Sequence, residues 1–335
     1  MDVRADQLIS MTAMTPFFTI IIPIFNVKDY LYKCLNSVRK AVIELNQGQH
    51  ISNYKVVEII CIDDGSKDGS GIFLDQWSAA NSDLDFMVVK VLHQENSGVS
   101  AARNIALDFA SGLWIGFVDG DDFVDQYWLR GVANGISKHP DVTWVCTGHK
   151  SFYDVLNNYQ VTEYVSSIER YIDFPHSQDY AWRYAAAVGL LCVHFFKRSS
   201  IGPIRFDPRI KVKEDTLFVL SVGLRMGGGF LELPYPSYTY RQRAKSASKV
   251  SAGTLSACTF QEGLNYLWSI KPGDKRSFAI LTYKNLKNWV CGQSRNRSSE
   301  RFRINQVLHE SKKIGALRIL SLPILTAIRF WLLLK

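Results

Sequence analysis

The chain has 335 residues, 47% of them hydrophobic and only 10 of them Pro, with a formal net charge of +8. That composition supplies ample core material for about two domains and excludes a disordered or fibrous chain. The six Cys (Cys34, Cys61, Cys146, Cys192, Cys258, Cys291) show no CxxC spacing and no His pair has metal-ligand spacing, which argues for reduced, buried thiols and against a disulfide framework or a zinc site.

The charge is uneven. Between Cys291 and Lys335 lie nine Lys or Arg against two Glu, so this tail carries seven of the eight net positive charges. The first 290 residues are nearly neutral, which excludes a nucleic-acid footprint there. The opening stretch "MDVRADQLISMTAMTPFF" carries Asp2 and Asp6 and no basic run leading into an apolar one; no secretory signal is expected, and the working compartment is expected to be the cytoplasm.

"FFTIIIPIFN", Phe17 to Asn26, predicts a first strand stopped by Pro23, whose missing N–H suits a strand end. Lys28 to Leu45, apolar at Leu31, Leu35, Val38, Val42 and Leu45, predicts an amphipathic helix. A β-branched run from Val56 to Ile62 predicts the second strand, followed by a helix near Asp68 to Ala80. The spacing Asp64-x-Ser66-x-Asp68-Gly69, with Asp75 in twelfth place, imitates a calcium loop. Such a loop lies between two helices and closes on a bidentate Glu, so the strand before Asp64 sets that reading aside. "FMVVKVL" predicts a third strand, "SAARNIALDFAS" a helix ending at Gly112, and "LWIGFV" a fourth strand running into "DGDD". Four strand–helix alternations predict an α/β fold with a doubly wound, mostly parallel sheet and helices on both faces.

After Asp125 the expectation is a helix to Lys138, a strand at "VTWVCTG" and a polar, aromatic stretch to about Tyr180. Then come "VGLLCVHFF", "IRFDPRIKVKEDTLFVLSVGL" and "YPSYTYRQRAKSASK", with a helical extension from about Thr254.

Four constellations could carry chemistry. Asp119, Asp121 and Asp122 crowd a strand tip; they repel one another unless a hard cation such as Mg²⁺ or Mn²⁺ sits among them, the bland alternative being a solvated turn capping the next helix. Asp63 and Asp64 at a neighbouring tip favour one nucleotide-plus-metal pocket. In "QENSGVSAARN", Gly98 allows close backbone approach, Ser97 or Ser100 can cap, and Arg103 and Asn104 face the same edge. Glu214 and Asp215 open an apolar helix, either as dipole-favoured acids or as a general base. Tyr238, Tyr240, Arg241, Arg243, Lys245 and Lys249 crowd a short segment suited to a diphosphate.

Taken together and in order, "IIIPIFN", "IICIDDGSKDGS", "QENSGVSAARN", "GFVDGDD" and "IRFDPRIKVKEDTLF" resemble family-2 glycosyltransferases of the GT-A fold, especially bacterial enzymes that assemble surface polysaccharides. The resemblance covers Phe17 to about Lys249. It implies a catalytic domain over 17–250, with a nucleotide-sugar-binding half at 17–125 and an acceptor half at 126–250, between a lead at 1–16 and a helical, basic tail at 251–335. It also implies a nucleotide-sugar donor, a divalent cation (Mn²⁺ or Mg²⁺) and inversion at the anomeric carbon. Carried onto this sequence, Asp64 contacts the nucleobase, Asp119 the ribose, Asp121 and Asp122 the metal, and Asp215 or its neighbour Glu214 supplies the base. Pro23, Phe25 and Asn26, then Gly65 and Ser66, then Gly98, Arg103 and Asn104, and finally Arg241 and Arg243, complete the expected donor pocket.

Phe25 stands where many relatives have Tyr, which removes a hydroxyl but keeps a stacking face, and Gly120 replaces the common Ser or Ala. "QDYAWRY" at Gln178 imitates the Gln-x-x-Arg-Trp signature of processive synthases in the wrong order, so transfer of a single sugar is expected. Competing readings are a nucleotidyltransferase on a similar fold and a phospho-accepting receiver module, which is about a third of this length. Ile314 to Leu334 is long enough to span a bilayer but is interrupted by Arg318, Pro323 and Arg329. An in-plane amphipathic helix is therefore expected, with residues 295–335 drawn to an anionic membrane surface and the enzyme peripheral to its inner face, acting on a glycan or lipid-linked glycan acceptor.

Overall fold

The β-branched runs of the first half form strands buried along their whole length: β1 (Phe18–Ile24), β2 (Val57–Asp63) and β4 (Trp114–Phe117). Full burial is what parallel strands covered by helices on both faces require. They belong to a computed structural model that describes residues 15–47, 56–155, 158–164, 168–177, 190–210, 214–223 and 225–242. The chain divides into two compact units, the first comprising residues 1–181, 190–209 and 221–244. Of the second unit, only residues 210 and 214–220 are described. Arg243, Lys245, Lys249, the "QDYAWRY" segment and the whole tail from residue 251 lie outside the described residues.

In the first unit β1 is followed by helix α1 (Lys28–Asn46), β2 by α2 (Ser70–Ala80), and the edge strand β3 (Met87–His93) by α3 (Val99–Phe109). Beyond β4 come a two-residue strand β5 (Phe123–Val124), α4 (Trp128–Lys138), β6 (Val142–Val155), β7 (Asn158–Tyr164) and β8 (Arg170–Ile172). A single 3-10 turn at Leu191–Val193 leads into β9 (His194–Lys197) and the one-turn helix α5 (Arg198–Ile201). Helix α6 (Glu214–Gly223) and the strand β10 (Gly229–Gln242) complete the described chain.

The sheet runs β3-β2-β1-β4-β9-β6-β10-β5, with β7 on β6 and β8 on β10. The β3-β2-β1-β4 half is parallel. Strand β9 is antiparallel to both β4 and β6, while β10 lies parallel to β6, so the sheet is mixed and mostly parallel as predicted. Progress from β1 to β3 and return to β4 on the other side of β1 puts the strand-order reversal between β1 and β4. Right-handed crossovers then set α1 and α2 on one face and α3 on the other. Such a reversal opens a crevice at the carboxyl ends of the strands.

Pro23 does not stop β1, which continues to Ile24. The Ile21 carbonyl accepts the Val118 N–H and that of Ile24 accepts the Asp64 N–H, so Pro23, two residues after Ile21, faces the β4 side. Pairing with β4 has already ended at Phe117, so no ladder bond is lost there. At the opposite end of the sheet, buried Glu58 accepts from Thr19 Oγ1 (2.6 Å), Lys90 Nζ (2.6 Å) and the Ser111 N–H (2.9 Å). Burial pushes its carboxyl up, but those hydrogen bonds together outweigh it and hold it below the usual carboxylate range. In the later half of the sheet, Trp144 donates to His194 Nδ1 at 3.0 Å and packs against Phe196 and Phe230. Burial depresses the His194 pKa to about 3, so the ring is a neutral core residue. Among the described residues no helix is long and apolar enough to cross a membrane.

Candidate functional site

The carboxyl ends of β1, β2, β3 and β4 lead into Phe25 and Asn26, Asp64 to Ser66, Gln94 to Gly98 and Asp119 to Asp122, and hydrogen bonds stitch the four tips together. From β1, Phe25 stands 48% exposed, an aromatic face beside the crevice. Asn26 follows in the left-handed region (φ 52°). Its N–H donates to Ser66 Oγ (3.0 Å) and its Oδ1 accepts the Lys67 N–H (2.8 Å). Asn26 and Ser66 therefore lock the β1 tip to the turn after β2. Pro23 is buried inside the strand.

Asp68 performs a second stitch. Its Oδ2 accepts the Lys28 N–H at the start of α1 (3.0 Å), and its Oδ1 accepts the Ser70 N–H and hydroxyl at the start of α2. One carboxylate thus satisfies open N–H groups of two helices, which disposes of the calcium-loop spacing physically. Gly65 has φ 72°, and a Cβ there would lie 2.8 Å from the Asn96 nitrogen, so the turn requires Gly.

Asp64, 3% exposed, faces the loop after β3. Its Oδ1 accepts from Gln94 Nε2 (2.6 Å) and the Ser97 N–H (2.7 Å), and its Oδ2 from the Gly98 N–H (2.9 Å). A carboxylate offers about four lone-pair sites, so room remains for one more donor. Gly98, with φ 90°, is itself the residue preceding α3, and neither Ser97 nor Ser100 caps that helix as expected: the Ser97 hydroxyl donates to the Glu95 carbonyl.

At the β4 tip the acidic turn is braced from three sides. Arg103, buried in α3, donates from Nη2 to Asp119 Oδ1 at 2.8 Å. The Tyr238 hydroxyl receives the Asp119 N–H (3.3 Å) and donates to Asp122 Oδ2 (2.5 Å), while the Arg241 N–H donates to Asp122 Oδ1 (2.7 Å). Arg241 Nε donates to the Asp121 carbonyl (2.9 Å), and its guanidinium lies over Tyr30 at 5.0 Å. Burial, then the charges of Asp121 and Asp119, push the Asp122 carboxyl well up.

Three of the expected site residues are engaged by groups of the protein itself. Asp122, 1% exposed, has both oxygens turned inward onto Tyr238 and Arg241, so it supports the turn. Asn104 spends both ends of its amide on the Phe206 backbone, Nδ2 to its carbonyl and Oδ1 from its N–H, each at 2.8 Å; it ties α3 to the segment before α6. Arg241, with Tyr238, braces the acidic turn. Asp119 and Asp121 stay partly exposed, a two-carboxylate set that suits a divalent cation completed by phosphate and water oxygens. Among the described residues no group of three or more His, Cys, Asp or Glu could hold an ion without such help.

Glu214 and Asp215 open α6, with the Thr216 N–H on Asp215 Oδ1 at 2.6 Å. Sequence reasoning missed the work of Gln94, Asp68, Asp63 and His93. Their partners on other elements lie 18 to 40 residues away, and no spacing rule reaches across that separation.

The sequence model described as "Glycosyl transferase family 2" matches residues 19–202. The minor teichoic acid biosynthesis protein GgaA of Bacillus subtilis is 32% identical over 243 residues, 70% of this chain and 49% of that protein. The matches to the first curated relatives span 15% to 64% of those proteins' own length. Among solved structures, S. aureus TarS 1–349 in complex with UDP-GlcNAc superposes with a TM-score of 0.64 at 18% identity, over 89% of this chain and 81% of that one. The mannosyltransferase PcManGT from Pyrobaculum calidifontis, in complex with GDP-Man and Mn²⁺, gives 0.55 at 15% identity, over 96% and 81%.

Proposed function

Because the chain belongs to glycosyl transferase family 2, we propose that it moves one sugar from a nucleotide-sugar, UDP-linked, to a hydroxyl of a growing, lipid-linked surface glycan, with inversion at the anomeric carbon. The observation that carries this reading is the acidic turn Asp119–Asp122 at the strand-order reversal, with Asp64 and the exposed ring of Phe25 on the neighbouring tips. That edge offers one acceptor for a base N–H, one aromatic face for stacking and two carboxylates for a cation. TarS binding UDP-GlcNAc and the mannosyltransferase binding GDP-Man with Mn²⁺ support the donor and metal classes, and the teichoic acid relative supports a polymeric surface acceptor.

Asp119 and Asp121 would hold Mn²⁺ or Mg²⁺, which when bound offsets the charge of the departing nucleoside diphosphate. Arg103 keeps Asp119 oriented, and Tyr238 and Arg241 hold the turn through Asp122. Asp64 receives the base N–H and Phe25 stacks on the ring. Asp215 takes the proton of the attacking hydroxyl, an assignment supported by its place in the family's motif order, with Glu214 beside it. The catalytic domain is taken as 17–250 and the basic residues 295–335 as the part that meets an anionic membrane on its cytoplasmic face.

Incubation with UDP- and GDP-sugars, Mn²⁺ and a lipid-linked acceptor tests the reading. Release of nucleoside diphosphate with a glycosylated product is expected, preceded by a rise in melting temperature with the matching donor. A chain that releases no nucleoside diphosphate from these donors but releases pyrophosphate when given a nucleoside triphosphate and a sugar 1-phosphate is a nucleotidyltransferase instead.

A further inference from the structure

His93 ends β3, directly before Gln94, and both of its ring nitrogens face carboxylates. Nδ1 lies 3.2 Å from Asp63 Oδ2, and Nε2 lies 3.0 Å from Asp75 Oδ1 on α2. A neutral imidazole has one N–H and would set its other lone pair against a carboxylate. The imidazolium alone satisfies both contacts. Of the two acids Asp63 is buried and Asp75 largely exposed, and a Cβ on Gly71 would lie 2.5 Å from Asp63 Oδ2, so α2 approaches this carboxylate closely only because residue 71 is Gly.

Asp63 is the hinge of the nucleobase edge. Its Oδ1 accepts the Ser66 N–H (3.1 Å), which sets the turn on one side of Asp64, and its carbonyl accepts the Gln94 N–H (3.0 Å), which sets the loop on the other. Gln94, Ser97 and Gly98 then donate to Asp64 itself. We infer that His93 is a positioning residue: held as a cation between Asp63 and Asp75, it fixes the two loops that present Asp64 to the nucleobase. The inference deepens the donor-binding reading and rests on it for the identity of the ligand, not for the clamp.

The groups that face His93 are few. Strand β3 is a sheet edge, packed chiefly by β2 and α2 among the described residues. Helix α2 has Asp75 as its one ionisable side chain, and on β2 the other acid, Glu58, is paired with Lys90. The contact with Asp75 raises the His93 pKa above its ordinary value, burial opposes, and Asp63 adds to the rise. A raised pKa on a base means that the clamp is intact at low pH and is lost as pH rises through the folded value.

The experiment follows the His93 ring and the Ser66, Gln94, Ser97 and Gly98 amides by NMR against pH in the full chain, alongside affinity for UDP-GlcNAc with Mn²⁺. This probe's diphosphate is doubly esterified and does not titrate near neutrality. The four amides are expected to shift with the His93 midpoint, and UDP-GlcNAc affinity to fall about tenfold across it, the usual scale of coupling between a site and a group outside it. Asp75→Asn, on the solvent side of α2, should move every midpoint to lower pH together, and His93→Gln should abolish the titration and bind at the weaker level throughout. Amides that ignore the His93 midpoint, or midpoints unmoved by Asp75→Asn, overturn the clamp. Affinity that stays flat while the amides titrate overturns its role in donor binding. Amides that follow His93 in a chain binding no nucleotide sugar uphold the clamp and sink the donor reading instead.

Discussion

Replacing Asp64 by Asn tests the carboxylate at the centre of the nucleobase edge. The Ser97 and Gly98 N–H groups donate to different oxygens of Asp64, at 2.7 and 2.9 Å. An amide has one oxygen, so either orientation of Asn turns its NH₂ against a backbone N–H. Gln94, which donates to Oδ1 at 2.6 Å, can rotate its own amide to suit either choice, but the two backbone donors cannot. One charge-assisted bond is lost, at about 1.5–3 kcal/mol, and the bonds that survive weaken to neutral ones, for a sum of about 3 kcal/mol. For a folded unit of this size that corresponds to a melting temperature lower by about 6–12 °C. If the loop releases locally instead, the cost appears as faster amide exchange over Gln94–Asn104. Differential scanning fluorimetry and hydrogen exchange by mass spectrometry read both. A shift under about 2 °C together with unchanged exchange refutes the reasoning, because it means that those three bonds do not hold the loop.

The parts of this fold that could be read from sequence are those decided by neighbours along the chain. The full burial of β1 and β2 and the three- and four-residue spacing of α1 are local properties, and the predicted helix over Lys28–Leu45 misses the observed end by one residue. Strand β10 was harder, because Pro234 and Pro236 interrupt it and its pairing with β6 tolerates them only through register shifts around Pro236. Its partner β6 begins 87 residues earlier, so neither strand announces the other. The site divides the same way. Strand tips gave the places of Asp64 and Asp119–Asp122, since a buried run ending in carboxylates is visible in one dimension. Which oxygen faces which neighbour was not visible. Asp122 turned out to be spent on residues 116 and 119 positions away, and Asn104 on one 102 away. An acidic cluster needs such inward partners to hold its shape, and they look in sequence like part of a basic, aromatic segment with a separate purpose.

Tyr238→Phe leaves the Asp119 N–H and Asp122 Oδ2 each short of a partner, so denaturant unfolding should show a loss of about 2 kcal/mol; no measurable change would contradict the bracing role. Asp121→Asn should remove the Mn²⁺ dependence of donor binding with little change in melting temperature, and retained Mn²⁺ dependence, read by calorimetry, places the ion elsewhere. His194, whose pKa is depressed to about 3, leaves the unfolded chain to take up the proton first on acidification. Stability should therefore fall from about pH 6.5 downward, by about 2 kcal/mol at pH 5, and His194→Asn, which keeps an acceptor for Trp144, should flatten that slope. The last expectation concerns Asp215. A general base acts on the proton of the attacking hydroxyl and not on the donor, so Asp215→Asn should leave UDP-GlcNAc affinity unchanged while lowering the single-turnover rate by about a hundredfold or more. Loss of affinity in step with rate would instead mean that Asp215 serves donor binding, and near-normal turnover would move the role to Glu214. The anomeric configuration of the product decides the mechanism separately: one displacement inverts, so an α-linked donor should give a β-linked product, and retention would require a second displacement for which this proposal assigns no nucleophile.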